Sequence, residues 1–111
     1  MPQFEPQLYY VTTRTKGEAK RIARALLLEH LIAGANIFPL ESLYWWQEKI
    51  CEEEEFALFM QSSKANFARI EEVVKRLHSY EIPCIVSTAI TQGSHDFLQW
   101  IHENTKNNDT K

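Results

Sequence analysis

Glu41-Ser42-Leu43-Tyr44-Trp45-Trp46-Gln47-Glu48-Lys49-Ile50 is the stretch that decides the fold of this 111-residue chain. Two of its three tryptophans stand side by side here, next to a tyrosine, and a polar pair follows at once. Ile37, Phe38 and Leu43 lead up to that pair, and Ile50, Cys51 and Phe56-Ala57-Leu58-Phe59-Met60 lead away from it. Apolar runs on both sides of a short polar turn predict a β-hairpin with its tip near Gln47-Glu48. Arms running from about Ala35 to about Gln61 would hold roughly a dozen residues each, or about 40 Å at ~3.3 Å per residue. A globule of this chain length has a radius of gyration of only about 13 Å. Such a hairpin outreaches its own domain, so another surface is expected to cover it.

The length fits a single domain over residues 1–111 with one core, frayed at 1–6 and 105–111. With 44% hydrophobic and 24% charged residues the composition is that of a soluble globular protein. A net charge of −3 and cations scattered except at Arg14-Lys16 and Lys20-Arg21-Arg24 argue against a nucleic-acid partner. No run approaches the ~20 apolar residues of a membrane span. The start, Met1-Pro2-Gln3-Phe4-Glu5-Pro6, reads as no secretory leader. Cys51 and Cys84 are too few for a disulfide scaffold or a closed zinc site. The expected location is the cytoplasm, with both thiols reduced. Asn108-Asp109-Thr110 has the spacing of a glycosylation sequon and is discounted without a leader.

Before the hairpin, Leu8-Tyr9-Tyr10-Val11-Thr12 reads as a central strand buried on both faces. Thr15 and Glu18 have the spacing of a capping box at the start of a helix. That helix turns Ala19, Ile22, Ala23, Leu27 and Leu31 to one side. Pro39 cannot donate to a ladder, so its arm is an edge strand or carries a bulge. Glu52 to Glu55 alternate across the second arm and read as a solvated run that blocks edge association. Ser62 or Ser63 caps a second helix with Phe67, Ile70, Val74 and Leu77 inward. Cys84 to Ile90 form a fourth strand, Gly93 turns the chain, and Ser94 caps a last helix carrying Phe97, Leu98, Trp100 and Ile101. The order is β-α-β-β-α-β plus a C-terminal helix, which predicts an α+β, ferredoxin-like sandwich. Its outer strands are the Pro39 arm and the Cys84 strand.

Four stretches now converge: Leu31-Ile32-Ala33-Gly34-Ala35-Asn36-Ile37, the Ser42-to-Ile50 hairpin, His78-Ser79-Tyr80-Glu81-Ile82-Pro83, and Leu98-Gln99-Trp100-Ile101. Together, in this order and over about residues 7–104, they resemble the CutA family of divalent-cation-tolerance proteins. The resemblance implies a stable ferredoxin-like homotrimer whose long hairpins lie across neighbouring subunits. It also implies copper tolerance, divalent-metal binding and an architecture similar to PII-type signalling trimers. The family often has Cys at Gly34, Gly at Glu48, Pro at Ser79 and Glu at Cys84. Copper-binding members carry a Cys at the position of Thr12 and two histidines at the positions of Leu77 and His78, and of these His78 remains.

The metal candidates are therefore His78, with Glu81 and Cys84 close to it in sequence, for weakly bound copper or another divalent cation. No cofactor is needed for folding. Tyr44, Trp45, Trp46 and Tyr80 are assigned to a subunit interface or cleft, where large aromatics bury the most area. His30, His95 and His102 lack a ligand-type partner one helical turn away and read as surface residues. Catalysis is not expected. Arg14 occupies about the place of the anion-binding arginine of acylphosphatases, but a loop with only Gly17 makes no cradle of consecutive amides. The competing reading is a PII-like small-ligand sensor or a trimeric scaffold for an unidentified protein partner.

Overall fold

A computed structural model describes residues 4–105. Its strands and helices are β1 (Pro6–Thr13), α1 (Lys16–Leu28), β2 (Gly34–Trp46), β3 (Lys49–Ser63), α2 (Phe67–Leu77), β4 (Ile85–Ala89) and α3 (His95–Asn104). The four strands form one antiparallel sheet in the order β2-β3-β1-β4. This is the ferredoxin-like arrangement, with the Pro39 arm and the Cys84 strand outermost as expected. The register runs unbroken through Pro39↔Phe56, so proline marks the edge without a bulge.

The hairpin closes as Trp46↔Lys49, with Gln47 and Glu48 both in the left-handed region at φ 50° and 65°. Two such residues make the type I′ geometry that matches the twist of its strands. Arms of 13 and 15 residues stretch the molecule to 47 Å in its longest dimension, against 27 and 24 Å across.

Side chains alternate along each strand, so β1 and β3 send Tyr9, Val11, Leu58 and Met60 to one face. There Ile22 and Leu26 of α1 and Ile70, Val73 and Val74 of α2 complete the core. The Tyr9 hydroxyl, fully buried, donates to the Ser63 carbonyl at 2.7 Å. The opposite face carries Leu8 and Tyr10 of β1 with Phe38, Phe59 and Val86. Tyr10 and Phe38 meet Phe59 edge-on at 5.4 and 5.2 Å, yet Phe38 and Val86 are exposed. Thus α1 and α2 cover one face, while on the other Trp100 of α3 lies over the Gly34 end and leaves Leu8 and Tyr10 half-buried, so the two-sided burial expected of β1 is incomplete.

Several local expectations shift. In α1 it is Leu26, not Leu27, that enters the core, because Ala19, Ile22, Ala23 and Leu26 share one arc and Leu27 lies at its margin. His30 at φ 57° ends the helix, with Leu31 N–H donating to Leu26 O and His30 N–H to Leu27 O, both at 3.0 Å. This is a Schellman motif without glycine, and it folds Leu31 back into the core. Neither Ser62 nor Ser63 caps α2. Both belong to β3, a 3-10 turn over Lys64–Asn66 intervenes, and Ser62 Oγ donates to Leu31 O at 2.5 Å.

The amino end is held sooner than expected: Lys64 N–H donates to Glu5 O at 2.8 Å and Ile90 N–H to Pro6 O at 3.0 Å. At the other end Thr105 Oγ1 donates to Ile101 O; the sequon at 108–110 lies outside the described residues. Ser94 accepts from Phe97 N–H as expected of a cap, but only Ile101 of α3 is fully buried. Trp100 lies over Gly34, where an added Cβ would come within 3.0 Å of the indole. Among the described residues no helix is long and apolar enough to cross a membrane.

Candidate functional site

The loop from α2 to β4 is tied down by two buried side chains. Thr15 caps α1 by accepting from Glu18 N–H at 3.1 Å, as its spacing predicts. A capping box would return the Glu18 carboxylate to the Thr15 amide. Instead Oε1 accepts from Arg14 N–H at 3.2 Å and Oε2 from Ser79 N–H at 2.6 Å. Burial alone would push this carboxyl up. The Ser79 and Arg14 amides and nearby His78 outweigh it, and Glu18 sits below the ordinary carboxylate value. The Arg14 amide is thereby consumed, so the β1-α1 turn does not present it to an anion.

The His78 side chain has no exposed surface. Its Nδ1 accepts from Tyr80 N–H at 3.0 Å, which assigns the ring proton to Nε2, 2.7 Å from Thr12 O. Glu18 Oε2 lies 3.6 Å from Nδ1. Glu18 and His78 together fasten the loop to the end of β1 and the start of α1.

Tyr80 reaches from that loop to the sheet, donating to Glu55 Oε2 at 2.5 Å. Glu55 is paired with Leu40 in the hairpin, and its parity puts it on the face of Ala57 and Phe59, away from α1 and α2. It is only 5% exposed, so the expectation of four solvated glutamates is corrected at this position. Burial first, and then the bond to Glu55, pushes the Tyr80 phenol above the ordinary range. One step towards the tip on the same face, Tyr44 donates to Glu53 Oε1 at 2.9 Å, and this bond pushes its phenol up to about 12. Burial, and then the Glu55 carboxylate, raises the half-buried Cys84 thiol.

The three metal candidates do not converge on a cage. His78 has both ring nitrogens engaged by this chain's own backbone, Glu81 is exposed, and Cys84 holds its proton. Among the described residues no group of three or more His, Cys, Asp or Glu side chains is placed to hold a metal ion. The residues of one copy therefore do not fit a resident metal. Of the interface candidates, Tyr44 and Tyr80 share the acidic face, and Trp46 belongs to the same face nearer the tip. Trp45 points the other way with Leu43 and Ile50, and these three are 71%, 66% and 64% exposed. The sequence reading placed Glu18 at the helix cap but missed its bond to Ser79, the burial of Glu55 and the Thr12 carbonyl. Only the parity of Glu55 with Ala57 and Phe59 could have flagged one of them.

Comparisons with known proteins agree with this geometry. The family model described as CutA1 divalent ion tolerance protein matches residues 7–104. The Divalent-cation tolerance protein CutA of Archaeoglobus fulgidus is 43% identical over 94 residues, 85% of this chain and 92% of its own length. That of Thermus thermophilus is 37% identical over 89% of this chain and 97% of its own. A solved structure described as the periplasmic divalent cation tolerance protein CutA from Archaeoglobus fulgidus superposes with a TM-score of 0.88 at 40% identity, covering 91% of this chain and 99% of that one. The CutA1 of Oryza sativa does so with a TM-score of 0.88 at 31% identity, covering 92% and 94%. With nearly its whole described length matched in sequence and in fold, the chain belongs to the CutA1 divalent ion tolerance family.

Proposed function

We propose that the chain acts as a non-catalytic homotrimer in divalent-cation tolerance, with each long hairpin lying across a neighbouring copy. The observation that carries this reading is the exposed apolar tip, Leu43, Trp45 and Ile50 on one hairpin face. Each such side chain gains roughly 1.5–3 kcal/mol on full burial, and nothing among the described residues covers them. The uncovered sheet face around Tyr10, Phe59 and Val86 offers a second copy a matching apolar surface. The number three follows from the family resemblance. The unpaired thiols Cys51 and Cys84 suit a reducing compartment such as the cytoplasm.

Metal enters this reading as a weak, displaceable ligand. Copper or another divalent cation coordinates His78 only after displacing the Thr12 carbonyl or the Tyr80 amide. The lack of a cage among the described residues supports a second reading, a PII-like sensor of a small ligand or a scaffold for a protein partner. A thermal-shift screen of metals against nucleotides separates the two. Sedimentation equilibrium at micromolar concentration tests the assembly: three chain masses are expected, and Trp45→Asp should shift the mass towards one. A wild-type monomer would overturn the proposal.

A further inference from the structure

The outward face of α1 is a one-helix-wide stripe of unpaired cations. Lys16, Lys20 and Arg24 follow one another at i, i+4 and i+8, Arg21 lies beside them, and Arg14 precedes the helix. At 100° per residue these helical cations fall within one arc opposite Ile22 and Leu26, the core-facing side. All five are exposed, and none has an ion-pair partner among the described residues. The carboxylates that could neutralise them are committed elsewhere: Glu18 turns inward to Ser79 and Glu29 binds Arg69 at 2.7 Å. Four of the 12 cations of an acidic chain thus lie on one helix, with a fifth, Arg14, just before it. Leu28, 83% exposed, lies in the same arc at the end of the stripe.

The neighbouring helix shows what a merely solvated charged face looks like here. On α2, Arg69 pairs with Glu72 at 2.8 Å and Lys75 with Glu71 at 3.2 Å. Apart from Arg76, the unpaired cations of these two helices therefore gather in a strip about 12 Å long from Lys16 to Arg24, at ~1.5 Å per residue. We infer that this stripe is a docking surface for an acidic polypeptide segment whose carboxylates pair with Lys16, Lys20, Arg21 and Arg24 and whose apolar side chain covers Leu28. Charge complementarity sets the sign of the partner, and the narrow strip sets its class. A bilayer is flat, and laid on the helix layer it would press Glu71 and Glu72 of α2 as well. A duplex presents phosphates over a breadth that one helix with so few cations does not match. The stripe lies on the side of the core away from the open sheet face, so it remains free in the proposed trimer and stands or falls separately from it.

The test is fluorescence anisotropy of the full-length protein with a fluorescein-labelled peptide of repeated Glu-Glu-Leu-Ala units, at low and physiological salt. Binding is expected to weaken with salt, since exposed charges are screened beyond about 8 Å at 0.15 M. Lys20→Glu with Arg24→Glu should raise the Kd by about tenfold or more, from loss of pairs plus like-charge repulsion. Lys75→Glu with Arg76→Glu, the same charge change on α2, should leave it within about twofold. Leu28→Ser should weaken the peptide several-fold without altering the salt slope. Equal losses for the two double variants, or no binding at low salt, would overturn the inference. So would tighter α1-dependent binding of phosphatidylserine vesicles or of duplex DNA in parallel titrations. A change in sedimentation mass on Lys20→Glu with Arg24→Glu would make a second copy of this chain the occupant and overturn it equally.

Discussion

The Tyr80 hydroxyl donates a 2.5 Å hydrogen bond to the buried carboxylate of Glu55, joining the loop after α2 to the base of the hairpin. Removing the donor leaves a buried acceptor without a partner, which costs about 1–3 kcal/mol. Tyr80→Phe should lower the urea midpoint accordingly at neutral pH, and Tyr80→Phe with Glu55→Gln should cost less than the two single changes added. A phenylalanine variant with an unchanged midpoint would mean that Glu55 finds another donor.

The same bond predicts a behaviour in alkali. Burial, then the bond to Glu55, lifts the Tyr80 phenol above its ordinary value, so the folded chain keeps a proton that the unfolded chain surrenders near pH 10. Its contribution to stability is complete below that pH and is lost as pH rises through the folded value. Stability measured in urea should fall above about pH 10, and Tyr80→Phe should flatten that limb. The slope will not vanish, because burial raises Tyr10 and Tyr9 as well.

Glu18 gives the opposite sign. Although burial pushes its carboxyl up, the Ser79 and Arg14 amides and His78 hold it below the ordinary value. Its contribution is present above the unfolded value near 4.3 and is lost as pH falls through the depressed folded one. Glu18→Gln should cost about 1.5–3 kcal/mol at pH 7, the range for hydrogen bonds to a charged group. The gap between variant and wild type should close towards pH 3 in urea titrations. A gap independent of pH would show that shape, not charge, holds the loop.

How much of this was legible follows from the range of the forces involved. Pro39 and the alternation around Tyr44 to Trp46 are local signals, so the edge strand and the hairpin tip could be read directly. The helical stripe from Ala19 to Leu26 was nearly right, missing by one residue because Leu26 and Leu27 are identical in sequence and differ only in phase. Glu55 was lost in a run of four glutamates, since only the approach of Tyr80, 25 residues away, makes it a buried acceptor. For His78, a candidate ligand on its residue type, nothing near it in sequence shows that Thr12 O, 66 residues away, engages its ring. His30 closes a helix that glycine usually closes, and a left-handed histidine has no sequence signature.

The hairpin tip is held by the wrong residues for its backbone. Gln47 and Glu48 both adopt positive φ, a conformation that costs side-chain-bearing residues roughly 1–2 kcal/mol each and that Asn-Gly tolerates best. Gln47→Asn with Glu48→Gly should raise the free energy of unfolding by about 1 kcal/mol with an unchanged urea m-value. A fall in stability would mean that the Glu48 side chain makes a contact across the assembly worth more than the strain.

The last prediction concerns copper and His78. To coordinate, the ring must release Thr12 O or Tyr80 N–H, each hydrogen bond worth about 0.5–1.5 kcal/mol net. Affinity should therefore be weak, with Cu²⁺ ahead of Zn²⁺ and Mg²⁺ failing to compete. Calorimetry of wild type and His78→Ala should show the saturable phase of the copper isotherm in the first and not in the second. Cys84→Ser should weaken Cu⁺ more than Cu²⁺, because a thiolate prefers the softer ion. The wild-type Cu⁺ affinity should itself be modest, since burial and Glu55 hold the Cys84 proton in place. His78→Ala also opens the loop, so the variant should be checked by near-ultraviolet circular dichroism, and Glu18→Gln titrated beside it. Glu18→Gln loosens the same loop while keeping the imidazole, and it should bind copper at least as well as wild type. If His78→Ala leaves the isotherm unchanged, copper is held by the exposed imidazoles of His30, His95 and His102, and His78 serves only to fasten the loop.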